Sequence, residues 1–237
     1  MVKWKIEKPS CEVHKQYYIL NGHKYSRVTS VLGVIAKHGL AIWYSKVGER
    51  KAKEILETRQ IIGTKTHHIF EMNLLGKDFD INEYEQEIKD SFTLFKDFKI
   101  NTKLEVHSAE QRLWSETYGF AGTADYLGMY TTYDDYLVRG HKAKFTDGGL
   151  VIIDWKTSRS IYKEAFLQLS AYTHAFYELT GIKIDGAAIA HFRDGKLKVR
   201  EKTFDELMEL FEVYKCALKL YKWTHNIEDK NEINGEK

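Results

Sequence analysis

The chain has 237 residues, with 36 Lys and Arg against 34 Asp and Glu for a formal net charge of +2. That balance does not mark a nucleic-acid binder by itself, so any polyanion must be held by local patches. A hydrophobic fraction of 43% with a single proline predicts one folded domain over 1–225. The tail 226–237 lacks apolar periodicity and is expected to be disordered. Two cysteines, Cys11 and Cys216, exclude a disulfide framework and a four-thiolate metal site. The N-terminus lacks a signal-peptide apolar core and no run of about 18 apolar residues occurs, so the expectation is a cytoplasmic protein with no membrane partner.

In chain order, "QYYILNGHKYSRV" predicts two strands around a type I′ turn at Asn21-Gly22. "VTSVLGVIAKHGL" predicts a helix capped by Thr29 or Ser30 and stopped by Gly39, and "LAIWYSKVGERKAKEILETRQ" continues the helical period. "IIGTKTHHIFEMNLLG" reads as a further turn and helix ending at Gly76, and "INEYEQEIKDSFTLFKDFKIN" as a fourth helix burying Phe92, Phe95 and Phe98. From about Lys103 the period becomes two, giving strands in "KLEVHSAEQRLWSE", "GFAGTADYLGMY" and "GGLVIIDW". The polar segment "TTYDDYLVRGHKAKFTDG" is a long connection or an extra hairpin. Then follow a helix closed by Gly181, two strands around Asp194-Gly195 and a last helix from "TFDELMEL". This order describes an α/β sheet with a helical N-terminal half packed against it.

Residues two apart on a strand share a face, so Asp154 and Lys156 at the end of "LVII" point together. A salt bridge alone would explain the pair, yet charges there need partners or a wet cleft. Asp125 follows the small residues of "AGTA", and if its strand neighbours that of Asp154, the two carboxylates can share a divalent cation. Glu110 is preferred over Glu116 as an added carboxylate, because Glu116 stands beside the "TYG" turn. His67 and His68 diverge by about 100° on a helix, so one faces a site, with a His67–Glu71 pair as the plain structural alternative. Gln168 and Tyr172 share a helix face at i, i+4, where ordinary packing would also place them.

The ordered set "GTKTH", Glu110, "GTADYLG", "DWKTS" and "QLSAY" resembles the RecB-like branch of the PD-(D/E)XK nuclease superfamily over residues 17 to 200. It is also similar to phage exonucleases and to the mitochondrial genome maintenance exonuclease. The resemblance implies a restriction-endonuclease-like core, a mixed central sheet flanked by helices. It implies one or two Mg2+ or Mn2+ ions held by His67, Asp125, Asp154 and the Trp155 backbone carbonyl, with no iron–sulfur cluster. Asp125, Asp154, Lys156 and, less uniformly in the family, Glu110 become the catalytic set. Gln168, Tyr172, Thr157, Arg159 and Lys65 become residues that support the site or contact DNA. The implied function is a DNA exonuclease in phage or mobile-element recombination, repair or processing. Its partners are then single-stranded or free-ended DNA and a phage or host recombination protein. An endonuclease of the same fold, a non-catalytic DNA-binding scaffold and a metal-dependent hydrolase of another substrate are the alternatives. Relatives often carry Pro-Ser before Val-Thr; here Ser26-Arg27 stands instead, which implies altered local DNA contacts.

Overall fold

In the computed structural model, residues 5–6, 9–35 and 38–227 are described; the expected disordered tail falls, from residue 228 on, outside the described residues. One mixed sheet organises the chain. Its strands are β1 (Cys11–Val13), β2 (Tyr17–Leu20), β3 (His23–Arg27), β4 (Glu105–Ser115), β5 (Phe120–Tyr130), β6 (Gly149–Lys156), β7 (Gly186–Arg193) and β8 (Lys196–Thr203). They lie in the order β1-β2-β3-β5-β6-β7-β8, with β4 on the other edge of β5. β3 with β5 and β6 with β7 run parallel, and the remaining pairs are antiparallel. The β2–β3 turn has positive φ at Asn21 and Gly22, 49° and 81°, as a type I′ hairpin requires.

The first helices differ from the sequence expectation. α1 (Val28–Val31) starts directly after β3, with Arg27 as a cap that makes no side-chain bond, and gives way to a 3-10 turn at Leu32–Val34. Thr29 and Ser30 therefore sit inside the helix, and the β-branched run around them favours only a short one. Gly39 lies within α2 (His38–Val47) instead of stopping a helix. The real break is Gly48, whose φ of 87° suits glycine, and α3 (Glu49–Leu74) then runs unbroken through Gly63. Gly63 serves close approach instead of a turn: a Cβ there would meet Thr157 Oγ1 at 3.3 Å.

α4 (Gln86–Asn101) follows a 3-10 turn at Ile81–Glu83. The segment between β5 and β6 is a connection with a 3-10 turn at Asp134–Tyr136 and one bridge from Leu137 to Val199, not a hairpin. α5 (Glu164–Thr180) ends on Gly181 in the left-handed region. α6 (Phe204–Thr224) begins with a reciprocal Thr203–Glu206 capping box.

The sheet separates two cores. On one face Val28 and Val31 of α1 join Leu169, Phe176, Phe211 and Tyr214 from α5 and α6. On the other, Phe70 of α3 and Phe95 and Phe98 of α4 pack against Trp155 and Phe192. The helical N-terminal half thus fastens to the sheet through stacked and edge-on aromatics.

Candidate metal centre

The centre forms where two antiparallel strands part. The β5–β6 ladder ends at the pair Tyr126–Ile153, so the next residues on each strand, Asp125 and Asp154, stand at the opening. The Trp155 N–H donates to Asp125 Oδ2 at 2.8 Å, a side-chain acceptor where the ladder has stopped. Glu110 lies opposite Asp125, between the β4–β5 pairs Ala109–Tyr126 and Gln111–Ala124. Its φ is 50°, uncommon for a residue other than glycine inside a strand. Alternation breaks at the same level: Leu113 and Ala124 join the α5–α6 core, while Ala109 and Tyr126 pack into the α3–α4 core.

Helix α3 brings His67 to this opening, its Nδ1 3.3 Å from Asp125 Oδ1. Ligand atoms of His67, Glu110 and Asp125 all lie within 4.8 Å of one another, a nitrogen and two hard oxygens that could hold a divalent ion. On the other side of the opening, Lys156 Nζ lies 2.6 Å from Asp154 Oδ2. That contact lacks hydrogen-bond alignment, so Oδ2 of the buried Asp154 carries no aligned donor. The Lys156 ammonium offsets the charge on that oxygen, and the nitrogen and oxygen donors of His67, Glu110 and Asp125 are the set that fits a divalent cation.

Helix α5 fixes the Asp154 side. Gln168 Nε2 donates to Asp154 Oδ1 at 3.0 Å and to the Tyr172 hydroxyl at 3.1 Å, while Lys156 donates to Gln168 Oε1 at 3.3 Å. The Tyr172 ring packs where a side chain on residue 122 would be: a Cβ at Gly122 would come within 2.3 Å of its Cε1. The glycine of "AGTA" therefore makes room for the tyrosine that backs the glutamine.

The electrostatics follow from burial opposed by mutual attraction. Burial alone would depress the His67 imidazole, but the Asp125 carboxylate holds it up to about 8. Burial would raise Asp125, yet His67 and Lys156 bring it below the usual carboxylate range. Burial likewise opposes the charge on Lys156, and Asp154 and Asp125 outweigh it, raising the ammonium's value. Asp154 is raised by burial and by Asp125 against the pull of Lys156. At 2.6 Å the Lys156 ammonium favours the charged form of Asp154 and so opposes the effect of burial on that carboxyl. Burial, then the Asp125 charge, pushes Glu110 up to about 7, an effect that solvent at its exposed rim position partly screens.

Of the other expected residues, Trp155 buries its ring in the aromatic core and turns its N–H toward Asp125. Thr157 accepts at its carbonyl from Arg193 Nη1 at 3.3 Å. Lys65 is paired with Glu85 at 2.6 Å, and Arg159 is exposed on the loop after β6. Glu116 lies in the β4–β5 turn with its N–H bound to Glu178. The helical pair is His68 with Glu71 at 3.7 Å, while His67 turns to Asp125. Sequence reading missed His191, whose Nε2 lies 2.5 Å from the Ser158 carbonyl and with Arg193 fixes the loop leaving the site. The signal was a histidine inside the apolar "AAIAHF" strand. A cavity of about 280 Å³ lined by Lys142, Lys144, Phe166, Arg200, Lys202 and Glu206 includes none of the site carboxylates.

The chain matches no protein-family model and no curated protein. Among solved structures it is similar to SSO0001, at 14% identity and a TM-score of 0.38, over 86% of this chain and 76% of that one. It is also similar to a Eubacterium rectale protein whose exonuclease designation is itself provisional, at 12% identity and a TM-score of 0.45, over 73% and 69% of the two chains. At these values neither likeness carries an activity to this chain, and what stands is a mixed α/β sheet flanked by helices with a His/Glu/Asp cluster able to hold a metal ion.

Proposed function

We propose that the chain is a metal-dependent deoxyribonuclease of the PD-(D/E)XK type, an exonuclease acting on single-stranded or free-ended DNA in phage or mobile-element recombination, repair or processing. The observation that carries it is the parting of β5 and β6. It brings His67, Glu110 and Asp125 within 4.8 Å of one another and leaves Asp154, with Lys156 Nζ at 2.6 Å, across the opening from Asp125. The exonuclease preference and the biological setting rest on the motif resemblance.

Mg2+ or Mn2+ held by Asp125, Asp154, Glu110 and His67, with the Trp155 carbonyl as a further oxygen ligand, would neutralise phosphate charge and make an attacking water more acidic. Lys156 places a positive charge beside the carboxylates, where it stabilises charge growing on the phosphate oxygens. Gln168 holds both members of the Asp154–Lys156 pair, bonding one carboxylate oxygen and the ammonium, so α5 fixes their spacing. His67, carried on a different element, ties the helical half to Asp125.

Linear and circular DNA, single- and double-stranded, incubated with Mg2+, Mn2+ or EDTA, test the reading. Linear strands should be degraded only with metal and circles spared; cut circles would indicate an endonuclease. Asp154→Asn and Lys156→Ala should each lower the rate by at least ~10²-fold while the circular dichroism spectrum is retained. A fully active Lys156→Ala protein, or no metal-dependent cleavage of any DNA, would overturn the proposal.

A further inference from the structure

Along β4 and β5 from the carboxylates, two guanidinium groups share one aromatic ring. Arg112 lies 4.9 Å and Arg27 5.5 Å from the centroid of Tyr18. Thr123 of β5 ties the group together: it accepts from Arg112 Nη1 at 2.6 Å, and its hydroxyl is 3.5 Å from that of Tyr18. The four side chains come from β2, β3, β5 and β4, strands that adjoin in that order.

Neither guanidinium is held in an ion pair with a described residue, although the Glu110 carboxylate acts on Arg112 through space. Among the described residues, arginine ion pairs occur at Arg50, Arg59 and Arg193, so neither Arg27 nor Arg112 has a carboxylate within ion-pair distance. Both are half-buried, which limits how far water can offset two like charges on one ring. An anion resting between them would remove that cost. The planar guanidinium fork suits a phosphate, which it can bind through paired N–H donors.

Position connects this patch to the candidate centre. Thr123 precedes Asp125 by two residues on β5, and Arg112 follows Glu110 by two on the facing strand, a separation of roughly 7 Å. Arg27 occupies the position where the sequence departs from the Pro-Ser of the motif it resembles, so the patch belongs to this chain's own pattern.

We propose that Arg27, Arg112 and the Tyr18 ring form a phosphate-binding subsite that grips the DNA backbone at a phosphate neighbouring the one held at the carboxylates. The identity of the ligand rests on the nuclease reading, and the subsite's contribution is to binding and register instead of bond breaking.

The test uses the full chain and a fluorescent single-stranded oligonucleotide in EDTA, where metal-dependent cleavage is off, with affinity followed by anisotropy across a salt series. Arg27→Ala and Arg112→Ala should each reduce the slope of log K against log salt by ~0.7, and the double variant by about twice that. Arg112→Lys should keep the slope but lose affinity, since it retains charge without the fork. Lys219→Ala, exposed on α6, serves as a control with an unchanged slope. Thermal unfolding verifies the fold of each variant, and Arg112→Lys gives the readout if an alanine variant fails to fold. Unchanged slopes in folded variants, or Arg112→Lys binding as tightly as the parent, overturn the subsite even if cleavage with Mg2+ is intact. A lowered slope in a protein that never cleaves DNA keeps the subsite and removes the nuclease reading. No binding of the oligonucleotide by the parent chain overturns both.

Discussion

Asp125 divides its two oxygens between a helix and a strand: Oδ1 faces the His67 imidazole and Oδ2 takes the Trp155 amide. This makes the metal-free site sensitive to pH. His67 is raised to about 8, so its stabilisation by Asp125 is complete below its unfolded value near 6.5 and is lost as pH rises through 8. Glu110, raised to about 7, also binds its proton more tightly when folded, and its effect fades from about 4.5 upward through 7. Both protons must leave before the cluster can act as ligands. Mn2+ affinity measured by calorimetry should therefore rise from pH 6 to above 8, and His67→Ala should flatten the part between 7 and 8. A pH-independent affinity in the parent chain would contradict this protonation scheme. At this scale the shared face of Asp154 and Lys156 is legible in the sequence, because period two and an apolar run fix it. Glu110 was a weaker inference: its left-handed φ breaks the regular alternation on which strand reading depends. Arg27 and Arg112 were not gathered into one group, since their shared ring is brought to them by a neighbouring strand.

At the scale of elements, α5 is fixed at both ends by polar contacts to the sheet. Near its start Gln168 holds Asp154; near its end Glu178 caps the β4–β5 turn, accepting from Ser115 Oγ at 2.5 Å, Glu116 N at 2.8 Å and Thr117 N at 3.0 Å. Burial would raise Glu178, but His174, Ser115 and Thr117 hold it down to about 2. A depressed carboxyl stabilises the fold above its unfolded value near 4.5 and loses that contribution as pH falls through 2. Glu178→Ala should cost about 2 kcal/mol in urea unfolding at pH 7, and the deficit should shrink on acidification toward pH 3. A constant deficit would mean that packing, not the charged clamp, is responsible. Turn chemistry made the hairpins and the end of α5 legible, since Asn-Gly, Asp-Gly and a lone Gly each have one preferred use. The helix breaks were misplaced because Gly63 and Gly48 look alike in sequence. Only packing distinguishes a glycine pressed against Thr157 from one at a φ of 87°.

For the whole molecule, the aromatic core under α3 and α4 determines whether the site assembles. Phe70 stacks on Phe95 at 4.0 Å and both meet the Trp155 ring edge-on, so the helix carrying His67 is registered to the strand carrying Asp154 by contacts on the far face of the sheet. Phe95→Ala should cost about 3–5 kcal/mol, and should weaken Mn2+ binding without touching a ligand. Stability lost with metal affinity intact would show that α3 is positioned otherwise. The α/β order of elements could be read from the change of period near Lys103; the sheet order could not, because strand pairing is a long-range choice. Trp155 joins the two halves of this arrangement, its ring in the core and its amide on Asp125. That amide gives a local clock: in deuterated solvent Asp125→Ala should speed its exchange by roughly tenfold or more, leaving the Ile153 amide of the paired ladder near its parent rate. Equal acceleration at both positions would mean that the strand opens as a unit, and the loosening of the carboxylate gap could then no longer be timed apart from the breathing of the sheet.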